Sequence, residues 1–287
     1  MLWAEQLISG LSVGAVYALI ALGYTLVFGV LRLVNFAHCD VMMFGAYAGY
    51  LASTLLHTGL WLSALLAAAL CAGLGLIIER LCYRPLRGVR GMPVLVVTLG
   101  VSLLLQYTMM LIFGAGARAY PAADGQGVVH LGGIALPVSK LITLVTGLVF
   151  TAGLQFVLLK TRSGRAMRAV AEDSVAARLC GMEEQSAISL AFILGCSLAG
   201  VAGALYGSMY LISPLMGVSP GLKAFAAAVV GGIGSVPGAV LGGFALGLAE
   251  AFAGAVFGTA TRDMASFALL IGFLLLRPGG IVGSKAA

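Results

Sequence analysis

Long apolar runs alternate with short polar segments along the whole chain, and this alternation predicts the fold class. About 20 consecutive apolar residues in a helix are enough to cross a lipid bilayer. We therefore predict an all-α, polytopic transmembrane helical bundle of eight spans, or up to ten if interrupted helices are counted in pieces. The predicted spans are residues 7–30, 41–56, 61–78, 93–113, 141–159, 187–212, 224–257 and 266–276.

The composition is typical of a membrane protein rather than a soluble one. Hydrophobic residues make up 61% of the 287 positions and charged residues only 9%, whereas soluble domains carry about 25% charged residues. The 41 glycines suit helices that pack closely in lipid, where no hydrophobic force drives them together. The five cysteines show no ligand spacing, so we interpret them as small apolar side chains rather than as disulfides or metal ligands.

Two segments concentrate the charge, and both are predicted to be cytoplasmic. The first is the loop that contains Arg80, Arg84, Arg87 and Arg90, because short loops rich in Arg and Lys stay in the cytoplasm. The second is the polar segment, residues 160–187, which holds nine of the 26 charged residues and is separated from the first by two predicted spans. The net charge of +6 is therefore a topology signal and does not indicate a nucleic-acid partner.

The polar segment is predicted to form two short amphipathic helices. Arg165, Arg168 and Glu172 are spaced to share one face of the first helix. Asp173 can cap the second helix and Gly181 can end it. Such helices indicate a docking surface for another protein, and the alternative is a solvated loop at the membrane interface. The candidate contact residues are Arg165, Arg168, Glu172, Asp173, Arg178 and Gly181.

Two breaks interrupt apolar runs at comparable places in the two halves of the chain. They are NFAHCD, residues 35–40, and GGIGSVPG, residues 231–238. Broken helices in corresponding positions indicate a translocation pathway, because non-helical backbone at membrane depth lines a cavity or is buried in protein. The alternative is two ordinary turns at the surface. The candidate pathway residues are Asn35, Phe36, His38, Asp40, Gly232, Gly234, Ser235 and Pro237.

Several ionisable residues need partners inside an apolar chain. His38 and Asp40 either pair with each other, or Asp40 caps the following helix. Glu250 lies within an apolar run, where an unpaired carboxylate would become protonated, so we expect it to pair with a neighbouring helix rather than bind substrate. Lys223 and Glu79 fall at predicted helix ends, where such side chains snorkel or cap.

The motifs of nucleotide-binding and catalytic proteins are missing from the sequence. None of the four lysines follows a glycine, so the chain has no G-x-x-x-x-G-K-[ST] loop to hold ATP phosphates. No paired carboxylates, histidine cluster or nucleophile motif predicts an enzyme, and we expect no metal or cofactor on this chain. If transport is driven by ATP, hydrolysis must occur on a partner subunit.

Five segments, in chain order, resemble the permease subunit of branched-chain amino acid ABC importers of the LivH type. They are GAVYALIALGYTLVFGVLRLVNFAHCDVMMFGAY, IERLCYRPLRG, SGRAMRAVAEDSVAARLCGM, GLKAFAAAVVGGIGSVPGAVLGG and LRPGGIVG, at residues 14–47, 78–88, 163–182, 221–243 and 276–283. One departure is Cys39, because the family pattern NFAHG has glycine there. A positive φ at this position would be costlier for cysteine than for glycine.

The resemblance implies an ABC importer permease that forms a single transmembrane domain, residues 1–287, in the bacterial inner membrane. It implies alternating access, with residues 160–187 as the cytoplasmic coupling loop that fits a groove on an ATPase. The implied partners are a second permease subunit of the LivM type, two ATPase subunits of the LivG and LivF type that bind ATP, and a periplasmic substrate-binding protein.

Two other functions fit the sequence. The same architecture can import urea, short amides or other amino acids instead of branched-chain amino acids. An ion-coupled secondary transporter working alone would need acidic coupling groups within the membrane, and Glu250 and Asp40 are the available candidates.

Overall fold

A computed structural model of the protein describes residues 2–86, 92–121, 127–131, 134–277 and 279–282. Within these ranges the chain forms eleven α-helices, one π-helical turn (Glu79–Tyr83) and one β-hairpin. The helices are α1 (Leu2–Leu31), α2 (His38–Leu56), α3 (Leu60–Ile78), α4 (Met92–Phe113), α5 (Val138–Lys160), α6 (Arg162–Glu172), α7 (Ser174–Leu179), α8 (Glu184–Met209), α9 (Val218–Gly231), α10 (Val236–Phe257) and α11 (Thr261–Leu276). The hairpin consists of β1 (Val128–Leu131) and β2 (Ile134–Pro137), which pair antiparallel.

The predicted transmembrane helical bundle is confirmed. In the described part of the chain, seven helices are long and apolar enough to cross a membrane: α1, α2, α3, α4, α5, α8 and α10. The predicted span 224–257 is two helices, α9 and α10, and the last predicted span is the 16-residue α11. The chain is therefore a multi-pass membrane protein.

Three boundaries differ from the sequence-based prediction. Helix α2 begins at His38, three residues before the predicted span. Helix α9 begins at Val218, before the predicted span 224–257, and Pro220 lies in its first turn, where proline is tolerated. The hairpin lies between the predicted spans 93–113 and 141–159, so the fold is not helical throughout.

Helix α1 occupies the centre of the bundle. Buried residues make up 83% of its most apolar stretch, and it packs against α5, α8, α9 and α10. Its contact with α10 is built on glycine: a Cβ on Gly247 would overlap the backbone at Gly14, and one on Gly243 would overlap Ala18. The first helix and a helix near the end of the chain therefore touch backbone to backbone.

Helix α8 makes a second close contact, with α2. Gly45 of α2 faces Gly200 of α8, and a Cβ added to Gly203 would overlap the carbonyl oxygen of Met42. Packing with so little space between backbones needs small residues. Helices α2 and α8 consequently form a tightly fitted pair beside α1.

Candidate functional site

The first predicted break folds back along α1. His38 packs directly on Gly23, because a Cβ added to Gly23 would overlap the imidazole ring. Gly23 lies eight residues before the end of α1 at Leu31, which is about 12 Å along the helix axis. Residues 32–37 thus return beside α1, and α2 starts alongside the middle of α1 rather than at its end.

The side chains of this break stabilise the reversal. The Oδ1 atom of Asn35, a residue only 1% exposed, accepts a hydrogen bond of 3.0 Å from the backbone N–H of Ala37. The half-buried ring of Phe36 faces Phe225 of α9, with 6.5 Å between ring centroids. Asn35 and residues 37–40 are buried, so the irregular backbone here lies within protein, as it must in a membrane protein.

Asp40 contacts α4, which the sequence analysis did not predict. Its two carboxylate oxygens accept hydrogen bonds of 2.5 Å from Ser102 Oγ and 2.9 Å from Gln106 Nε2. Asp40 therefore neither pairs with His38 nor caps α2, and both of the predicted roles are wrong. The spacing of Ser102 and Gln106, four residues apart on one face of an apolar helix, is the signal that indicates a polar partner.

The second predicted break separates α9 from α10. Gly232 and Gly234 have φ values of +104° and +93°, which only glycine adopts without strain. Ser235 caps α10 by accepting a hydrogen bond from the N–H of Gly238 at 3.2 Å. Pro237 follows in the first turn of α10, where its missing N–H costs nothing.

The two breaks lie at opposite ends of α9 and do not form one site. At its beginning, Gly217 and Gly221 pack against Cys39, so their lack of side chains makes room for the cysteine. Among the described non-glycine residues, positive φ values occur at Arg32 and His57, so Cys39 carries no such strain. The 14 residues of α9 span about 21 Å, and they link the two groups of candidate residues.

The polar segment forms the two predicted helices. Asp173 caps α7 by accepting hydrogen bonds from the N–H groups of Val175 at 2.8 Å and Ala176 at 3.1 Å. Gly181 ends this helix with φ +78°, the left-handed conformation of a helix stop. The helix start and the helix end that were predicted for these two residues are confirmed.

One face of the polar segment is exposed and the other is anchored. Arg165, Arg168 and Glu172 are exposed, and the buried side of α6 carries Met167 and Val170. Arg178 differs from its neighbours because it forms an ion pair of 3.0 Å with Glu184 at the start of α8.

Two residues that the sequence places on the apolar side of α7, Val175 and Leu179, were not among the candidate contact residues. Val175 is 58% exposed and Leu179 86% exposed. They are four residues apart, so they share one helix face. Their sequence spacing predicts an apolar stripe, but only the structure shows that nothing in the described chain covers it.

One cavity is lined both by a candidate contact residue of the polar segment and by candidate pathway residues. It has a volume of about 290 Å³ and lies between α1, the end of α5, α6 and the second break. Arg168 of the polar segment lines it together with Gly234, Ser235 and Pro237. The cavity therefore separates α6 from the start of α10, and both helices border the same space.

A buried ionic cluster connects α1, α9, α10 and α11. Glu250 accepts hydrogen bonds from Tyr17 Oη at 2.9 Å and from Ser266 Oγ, and it forms an ion pair of 2.6 Å with Lys223 Nζ. Lys223 also lies 2.7 Å from Asp263. The expected pairing of Glu250 with a neighbouring helix is confirmed.

Lys223 and Glu79 do not behave as helix-end residues. Lys223 is 7% exposed and ion-paired, so it neither snorkels nor caps. Glu79 is fully buried in the π-helical turn and accepts hydrogen bonds from Gln185 at 3.0 Å and Ser189 at 3.2 Å of α8. Of the four predicted topology arginines, Arg80 and Arg84 are described and Arg87 and Arg90 lie outside the described residues.

Helices that are interrupted within an apolar bundle, beside a polar helix pair, are typical of a transport permease. Residues 6–275 match the family described as the permease component of branched-chain amino acid transport systems. The chain is 41% identical to the high-affinity branched-chain amino acid transport system permease protein BraD of Pseudomonas aeruginosa, over 98% of this chain and 96% of that protein.

The LivH permease proteins of the same description are similar to the same degree. Identity is 40% with the protein of Salmonella typhimurium and 39% with that of Escherichia coli K12, in each case over 97% of this chain and 95% of the relative. The chain belongs to the family of branched-chain amino acid transport permeases, and the resemblance drawn from the five sequence segments is confirmed.

Proposed function

We propose that this permease imports branched-chain amino acids across the bacterial inner membrane as one subunit of an ATP-driven transporter. The relatives of similar length are described as high-affinity branched-chain amino acid permeases, and this similarity carries the substrate assignment. The sequence has no phosphate-binding loop, so the transporter needs two ATPase subunits of the LivG and LivF type. A second permease subunit of the LivM type and a periplasmic binding protein complete the assembly.

The polar segment is the proposed contact with the ATPases. Its exposed face combines the charges of Arg165, Arg168 and Glu172 with the uncovered apolar side chains of Val175 and Leu179. A centre of apolar residues with charges around it is what a protein interface requires. Closure of the ATPases would push on α6, and the helices that α6 packs against, α1, α5 and α8, would carry the displacement into the bundle.

The pathway is proposed to follow the two breaks along α9. Irregular backbone in such places lets helices rearrange without breaking long hydrogen-bonded ladders. The side chains at both breaks are mainly packed or bonded to backbone, which favours a passage over a tight binding site. Selectivity then belongs to the binding protein.

Reconstitution tests the proposal. The permease, its partner subunits and the binding protein are placed in proteoliposomes, and uptake of radiolabelled leucine is measured with ATP or with a non-hydrolysable analogue. We expect leucine uptake with ATP and no uptake with the non-hydrolysable analogue. Uptake of leucine that continues without ATPase subunits would contradict the proposal, and strict preference for urea or amides would contradict the substrate.

Coupling is tested by exchanging two charges. Arg168→Glu with Glu172→Arg reverses the exposed face and should leave ATPase activity without leucine uptake. The matched control is Arg168→Lys with Glu172→Asp, which keeps both charges and should transport. Equal leucine uptake by the two variants would show that the polar segment does not make the coupling contact.

A further inference from the structure

The cavity beside α6 has the properties of a small-molecule site. Its volume of about 290 Å³ is at the lower end of ligand pockets, which are mostly apolar with a few placed polar groups. The apolar wall is formed by Leu26, Val30, Leu158, Leu159, Met167 and Val236. The space fits a compact aliphatic group rather than a drug-sized molecule.

Two polar groups in the wall have no partner in the described chain. Thr25 lines the cavity, and its Oγ1 atom is buried without a hydrogen bond in the described chain. Arg168 lies at the exposed edge, and no described acidic residue forms an ion pair with its guanidinium. Gln155 of α5 adds an amide to the same wall.

The charge of the wall selects between possible ligands. It contains one guanidinium and no Asp or Glu among its lining residues. A carboxylate can pair with Arg168, but the ammonium group of an amino acid would lose water without gaining an opposite charge. The wall therefore favours a monoanion with an aliphatic body over the zwitterionic amino acid itself.

We propose that this cavity binds a compact aliphatic carboxylate, such as a branched 2-oxo acid, and that the bound ligand inhibits transport. This inference rests on the proposed function, because it supplies a regulatory ligand for the same permease. The ligand would fill the space between α6 and residues 234–237 and contact both. A ligand that binds one conformation shifts the population toward it, so occupancy opposes the movement that couples ATP hydrolysis to transport.

Gly29 provides a variant that fills the cavity without disturbing the fold. It lines the cavity, and a Cβ added there meets nothing within 4 Å. Gly29→Leu should therefore occupy the ligand space from the α1 side. Gly153→Leu is the matched control, because Gly153 on α5 is equally open but does not line the cavity.

The test uses the complete transporter in detergent, where both membrane sides are accessible. The probe is 4-methyl-2-oxopentanoate, and leucine is the comparison with the same aliphatic body. Binding is measured by calorimetry before the binding protein is added, because the proposed binding protein would itself bind leucine, and inhibition is measured by the ATPase rate with the leucine-loaded binding protein. We expect the probe to bind and inhibit, leucine to bind this site at least about tenfold more weakly, Gly29→Leu to abolish both effects and Gly153→Leu to retain them.

Other results would overturn the inference. Undiminished probe binding in Gly29→Leu would place the ligand elsewhere, and binding of leucine as tight as that of the probe would refute the charge selection. Displacement of the probe by long-chain lipids alone would identify the cavity as a lipid site. Leucine uptake at a rate that the probe does not change would refute the inference and leave the proposed function intact. Probe binding to a complex that never transports leucine would refute the function instead.

Discussion

The Nζ atom of Lys223 lies 2.6 Å from Oε1 of Glu250, inside the bundle, with both side chains less than 10% exposed. The two residues lie 27 positions apart on α9 and α10. Tyr17 and Ser266 donate further hydrogen bonds to the carboxylate, so the glutamate contacts residues from three other helices. The ion pair thus fixes α9, a helix flanked by both breaks, to the rest of the fold.

Breaking this pair from one side should destabilise the protein strongly. Lys223→Met leaves the carboxylate of Glu250 without its cation, and we expect a loss of about 3–5 kcal/mol in the free energy of unfolding. Lys223→Met with Glu250→Leu removes both charges and should recover most of that loss. Thermal unfolding in detergent measures Lys223→Met, Glu250→Leu and the double variant, which together with the unaltered protein form the double-mutant cycle. Asp263→Asn is the control, because Asp263 is 67% exposed and its loss should cost at most about 1 kcal/mol. Equal losses for the single and double variants would contradict a stabilising pair.

The glycine contact between α2 and α8 should be intolerant of one added methyl group. Gly203→Ala would place its Cβ against the carbonyl oxygen of Met42, and overpacking of this kind costs about 1–3 kcal/mol. Gly73→Ala is the matched control on α3, where a Cβ meets nothing within 4 Å. It should be neutral or stabilising by about 0.5–1 kcal/mol. A lower melting temperature for Gly73→Ala than for Gly203→Ala would show that α2 and α8 separate easily.

Cys180 offers a direct test of which membrane side the polar segment occupies. It is the exposed member of the five free cysteines; Cys39, Cys71 and Cys196 are buried, and Cys82 is partly buried. A membrane-impermeant maleimide should therefore label inside-out vesicles and leave right-side-out vesicles unlabelled. Cys180→Ser should abolish labelling. Labelling from the opposite side would contradict the cytoplasmic position of residues 160–187.

Leu179 should matter for assembly but not for folding. Its side chain is 86% exposed, so Leu179→Glu removes no packing inside the permease and should leave the melting temperature unchanged. If the residue is covered by an ATPase subunit, burial of the new carboxylate should weaken association at least about tenfold. Co-purification at graded salt concentrations measures this. Met167→Glu, which changes the buried face of the preceding helix, should lower thermal stability and so distinguishes a folding defect from a docking defect.

Local patterns predicted the elements of this fold better than the partners of its polar groups. The caps at Asp173 and Gly181 depend on neighbouring residues only, so sequence sufficed to place them. The partner of Asp40 lies on α4, more than sixty positions away. That contact depends on how helices are arranged, which hydrophobic runs do not specify.

The candidate pathway shows the same limit. Glycine and proline marked the second break correctly, because those residues prevent a continuous helix, whereas the first break was marked only by the polar residues Asn35, His38 and Asp40 within an apolar run. Sequence could not show that the first break returns along α1, or that Arg168 and Ser235 line one cavity. Both facts depend on close packing of helices that are distant in the chain.

The backbone contact between α1 and α10 also constrains when α1 can complete its packing during biogenesis. Gly14 meets Gly247, so α1, which is synthesised long before α10, cannot complete its central packing until α10 has been inserted. Until then its small-residue face is open to lipid or to an insertion chaperone. Truncation after α8 should therefore yield a membrane-inserted chain that is degraded quickly, because the glycine face of α1 then has no α10 to cover it.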